Sequence, residues 1–108
     1  MVSIDTMEVS FEKVYEGQVD APIWLFAVTD DEGRVVLSAE RHQGIDMAFF
    51  DPENPQGALE WKTIVSRGEV GGVADHGHVF AHGFHYLVFS QPSADSAFAV
   101  KVDRNLNR

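Results

Sequence analysis

Residues 29–33, TDDEG, lie between two apolar runs, IWLFAV (23–28) and RVVLSAER (34–41). Three consecutive acids do not extend a buried strand, and a glycine at the end of the group is free to take a positive φ. The segment therefore fits the four- or five-residue loop of a β-hairpin. The first run is almost uninterrupted apolar, which predicts a strand covered on both faces. In the second, Val35, Leu37 and Ala39 lie two apart and so share one face, the one expected to point inward.

The same logic runs along the rest of the chain. Met7, Val9 and Phe11 alternate with Glu8, Ser10 and Glu12, a strand with one wet face that Gly17 ends. His42, Gln43 and Gly44 read as a turn, followed by a short strand with Ile45, Met47 and Phe49 on one side. Residues 51–57, with two prolines and a glycine, cannot hold a ladder. Residues 58–67 (ALEWKTIVSR) carry two patterns. Asn54 and Pro55 suit the start of a short helix near residues 55–67, whereas Leu59, Trp61, Thr63 and Val65 alternate as a strand. The β-branched run at 63–65 favours the strand. Four glycines at 68, 71, 72 and 77 predict a loop or a heavily bulged edge. Residues 84–90 and 97–103 are the last two strands, joined by a polar turn.

Seven or eight short strands in 108 residues make one all-β domain spanning residues 1–108, an antiparallel β-sandwich or small barrel, immunoglobulin-like or jelly-roll-like. The absence of cysteine excludes disulfides and thiolate chemistry. No apolar run approaches a membrane span, and the N-terminus lacks the basic and apolar regions of a signal peptide, so synthesis in the cytoplasm is expected. Net charge is −9 and uneven: residues 1–60 carry three basic and thirteen acidic side chains, residues 61–108 five and four. That sign disfavours nucleic acid as a direct partner. It suits either plain solubility or a contact between the acidic half and a less acidic surface.

Chemistry concentrates in residues 75–90, DHGHVFAHGFHYLVFS, which hold four of the five histidines. On an extended chain His76, His78, Phe80 and His82 share a face, and His-x-His is a chelating spacing for zinc, iron or copper. His85 has the opposite parity and is expected on the other face unless a bulge intervenes. The arrangement His76-x-His78-x-x-x-His82 resembles the first metal motif of the cupins, with His82 where that motif has a glutamate. The resemblance implies a small β-barrel and one transition metal ion held by His76, His78 and His82. The string from Gly83 through Tyr86 to Phe89 is similar to the penultimate strand of immunoglobulin-like sandwiches with its tyrosine corner. That likeness implies a fold class and no activity.

No hydrolase elbow, phosphate loop or dinucleotide fingerprint is present, so no catalytic residue is assigned. The leading expectation is a non-enzymatic module for protein–protein contact, self-assembling as a homo-oligomer or within a larger structure such as a virion, as a decoration or adaptor protein. The alternatives are a cupin-like metal protein and an acidic inhibitor or immunity protein. The last would cap a basic partner with the tip at residues 30–32 and the Glu8/Glu12 face.

Overall fold

The computed structural model describes residues 24–41, 44–54, 57–91 and 96–108. The strand expected at residues 7–12 and its Glu8/Glu12 face lie outside these, as do residues 42 and 43 of the expected turn. The described chain runs β1 (Trp24–Thr29), β2 (Val35–Arg41), β3 (Gly44–Phe50), β4 (Lys62–Ser66), α1 (Arg67–Val70), β5 (Ala74–Ala81), β6 (Phe84–Ser90) and β7 (Ala97–Val102). Two antiparallel sheets form in chain order, β1-β2-β3-β4 and β5-β6-β7. Val36, Ile45, Met47 and Val65 of the first sheet and Leu87, Phe89 and Val102 of the second meet in one core. The all-β, antiparallel sandwich-like reading therefore holds. Residues 62–66 are a strand, as the β-branched run favoured. Among the described residues no helix precedes that strand where Asn54 and Pro55 suited a start. A four-residue helix instead follows the strand, running into the stretch expected as a loop, with the backbone N–H of Ser66 donating to Glu69 Oε1 at 3.1 Å and a left-handed Gly71 closing it.

The expected hairpin is present, with Trp24 opposite Glu40 and Thr29 opposite Val35. Asp30 organises its loop. One carboxylate oxygen accepts the backbone N–H groups of Glu32 and Arg34, both at 2.9 Å, and the other accepts Arg34 Nε at 2.8 Å. Burial alone would raise the Asp30 pKa, but these donors outweigh it and hold the carboxyl below its ordinary range.

Which strand is covered on both faces differs from expectation. β2 is buried on both sides: Val36, Ser38 and Glu40 point between the sheets, while Leu37 and Ala39 are buried on the opposite face. The inward set toward the core is thus the one containing Ser38 and Glu40, not Val35, Leu37 and Ala39. Among the described residues β1 is instead the end strand of its sheet, with Trp24 53%, Leu25 44% and Phe26 36% exposed. A run of apolar side chains reports strand propensity, but the number of neighbours is decided by the order of the sheet.

The β5–β6 connection also departs from the extended reading. β5 ends at Ala81, and His82 and Gly83 form a two-residue turn with φ of 51° and 85°, while Ala81 pairs with Phe84. Positive φ at both central positions is the requirement of a type I′ hairpin, for which Asn-Gly is preferred. His82→Asn is therefore expected to stabilise the fold by about 0.5 kcal/mol, read as a higher midpoint in urea unfolding with an unchanged slope.

Candidate functional site

Three strands bring polar side chains together in the middle of the apolar core. β2 supplies Ser38 and Glu40, β5 supplies His76 and His78, and β6 supplies His85. All five are buried, Ser38 and His85 completely. Alternation explains the first four, since residues two apart on a strand share a face. The fifth follows from the hairpin: His85 lies opposite Phe80 and diagonal to His78, so its parity along the chain is irrelevant once the strand has turned back at His82.

The side chains form a single row. Glu40 Oε1 accepts the backbone N–H of His76 at 2.6 Å and lies 2.9 Å from His76 Nδ1. His76 Nε2 is 3.0 Å from Ser38 Oγ, and the same hydroxyl is 2.9 Å from His78 Nδ1. His78 Nε2 is 2.9 Å from His85 Nδ1. His85 Nε2 is buried with no hydrogen-bond partner among the described residues. The β5–β6 register slips between Ala74 and Gly77, and Asp75 has a φ of 53°. This bulge leaves the His76 N–H outside the ladder, and Glu40 supplies its acceptor. Phe26 packs edge-on to His76 with centroids 4.8 Å apart, and Phe80 does the same to His85 at 4.7 Å.

Burial dominates the electrostatics of the imidazoles. Desolvation lowers the His76 pKa, against the opposing pull of the Glu40 carboxylate. It pushes His78 down to about 3, helped by the neighbouring rings of His85 and His76. It lowers His85 as well, with Asp30 pulling the other way. The rings are therefore neutral at neutral pH.

The expected pair His76 and His78 is brought together on one face, while His82 sits exposed at the hairpin tip. Each ring nitrogen of His76 and His78 already has a protein partner, and no group of three or more histidine, cysteine or acidic side chains among the described residues is arranged to hold a metal ion. Ser38, Glu40 and His85 are the members that sequence reasoning missed. The signal was present in β2, where Ser38 and Glu40 interrupt an apolar strand at a spacing of two.

Glu40, His76 and Ser38 stand in the order acid–imidazole–hydroxyl that activates serine nucleophiles. Access decides against that chemistry. Ser38 has no exposed surface, and its hydroxyl is shared with a second imidazole. Two open clefts lined by described residues, of about 540 and 340 Å³, have walls that include Phe49, Trp61 and Leu106 or Arg34, Phe50 and Pro52; neither includes a member of the row.

The acidic tip is also occupied. Asp30 and Glu32 pair with Arg34 at 2.8 and 2.9 Å, and Asp31 pairs with Arg104 at 2.5 Å. Its three carboxylates thus already hold cations of the same chain. Comparison with protein-family models, curated proteins and solved structures finds no match for this chain.

Proposed function

We propose that this chain is a non-enzymatic β-sandwich module that works by protein–protein contact, with β1, the end strand of its sheet among the described residues, as the contact and a second copy of the chain as its occupant. The observation that carries this reading is the consecutive exposure of Trp24, Leu25 and Phe26 on an edge strand. Consecutive residues point to opposite faces, so side chains from both faces of the strand reach the surface, and among the described residues no strand pairs with its outer side. An edge of this kind is a template for another strand. β1, WLFAVT, contains no charged residue in a chain of net charge −9. An antiparallel second β1 would extend the four-stranded sheet into one of eight across a two-fold axis without setting acid against acid. A repeating structure such as a virion shell is one setting for such a module.

The test is sedimentation velocity on the full chain over a wide concentration range, beside Leu25→Arg. Leu25 points away from the core and is 44% exposed, and circular dichroism of the variant establishes that it keeps the fold. The expected result is reversible self-association of the wild type, weakened at least about tenfold by the buried charge. A wild type that stays monomeric at every concentration overturns the reading, as does self-association that Leu25→Arg leaves unchanged.

A further inference from the structure

The row from Glu40 to His85 has a direction, because a hydrogen bond needs one donor and one acceptor at every step. An ionised Glu40 only accepts, so His76 carries its proton on Nδ1. His76 Nε2 is then an acceptor, and the Ser38 O–H donates to it. Ser38 Oγ has no further proton, so it accepts from His78 Nδ1–H. His78 Nε2 in turn accepts from His85 Nδ1–H. Each link lies between 2.9 and 3.0 Å. One chemical fact at one end therefore dictates three tautomers, and the lone pair left over is on His85 Nε2, the buried atom that has no partner among the described residues.

We infer that the row is a polarised proton wire with a single open end, and that His85 Nε2 is an internal binding site for one small O–H or N–H donor of the size of water. The groups described around His85 offer Nε2 no donor. Phe80 closes one side of the ring. The charged groups that act on His85 are Asp30, Asp31 and Arg34 at the β1–β2 turn, and the Nε and Nη2 donors of Arg34 are engaged by Asp30, Glu32 and the Arg104 carbonyl. At the far end His76 faces Glu40 and Ser38 of β2 and the Phe26 ring of β1.

The wire transfers charge without moving heavy atoms. When the bound donor is itself protonated, as a hydronium ion that remains as neutral water after giving its proton to His85 Nε2, the Nδ1 proton of His85 passes to His78 Nε2. That of His78 passes to Ser38 Oγ, and the hydroxyl proton passes to His76 Nε2. The N–H and O–H bonds broken equal those formed, one proton has entered, and the product is a His76 imidazolium against the Glu40 carboxylate.

Long-range ¹H–¹⁵N NMR of the histidine rings in the uniformly labelled full chain tests this directly. At pH 7.5 the expected result is a protonated Nδ1 and an unprotonated Nε2 on His76, His78 and His85 alike. Ser38→Ala should leave His76 as it was but release His78 and His85 into a mixture of tautomers, although His85 does not touch Ser38. A neutral ring among the three with its proton on Nε2 in the wild type overturns the inference. So does a folded Ser38→Ala protein whose His85 tautomer stays pure. If the variant fails to fold, the wild-type spectrum alone decides.

Discussion

Gly44→Ala is expected to cost about 3 kcal/mol or more and to leave little folded protein at ordinary temperature. Gly44 opens β3 with a φ of 146°, and a Cβ built there would lie 2.0 Å from the backbone oxygen of Val65. The obstacle is main chain, so no rotamer change relieves it. Gly44 is paired on one side with Arg41 and on the other with Ser66, and the next residue, Ile45, is fully buried in the core. Moving Gly44 away from Val65 would pull β3 from β4 at the register shift between Ile45 and Asp46. Conformational strain and a backbone collision thus fall on the junction of three strands. Denaturant unfolding by circular dichroism, beside Gly33→Ala as a control, checks the claim. Gly33 also has a positive φ, 78°, but a Cβ there meets nothing within 4 Å. The control should lose about 1 kcal/mol from φ alone. Equal losses for the two variants would show that the Val65 collision is unimportant.

How much of this could be read in the residues follows from how local each signal is. The β1–β2 hairpin was legible because its turn is encoded in five consecutive residues: Asp30 supplies the acceptors and Gly33 the positive φ. The strand at residues 62–66 was legible because β-branched side chains crowd a helix wherever they occur. The burial of Ser38 and Glu40 was not legible, since their partners stand 36 to 40 positions away on β5 and only the sandwich brings them together. Alone, a serine and a glutamate at that spacing describe a wet face. The apolar run of β1 misled for the complementary reason: among the described residues the sheet ends there, and no feature of the run says so. His76 and His78 were found by spacing. His85 was lost because His82-Gly83 is a hairpin turn without the asparagine that usually announces one.

Acid is expected to unfold this protein through its histidines before its carboxylates. His78 has its pKa lowered from 6.5 to about 3 by burial and by the adjoining rings, and His76 and His85 are lowered as well. In each case the folded state binds its proton less readily than the unfolded chain. The unfolded state therefore holds more protons at any pH below 6.5, and stability falls as the pH falls. The contribution is intact above pH 6.5 and is lost from there down toward pH 3. For His78 alone the loss between pH 7 and 5 is about 2 kcal/mol. The other two rings steepen the slope, because the wire accommodates one proton whereas three separate imidazoles in the unfolded chain take three. Asp30, Asp31 and Glu69, held low by their hydrogen bonds, also lose stabilisation in acid, but only below the ordinary carboxylate range. General electrostatics predicts the reverse trend above that range: a chain of net charge −9 repels itself less as its charge is reduced. Urea unfolding at half-unit steps from pH 7.5 to 5 separates the two. A decline in unfolding free energy that steepens below pH 6.5 belongs to the buried imidazoles, and a flat or rising curve over that interval would mean that acid protonates them in the folded protein as easily as in the unfolded chain.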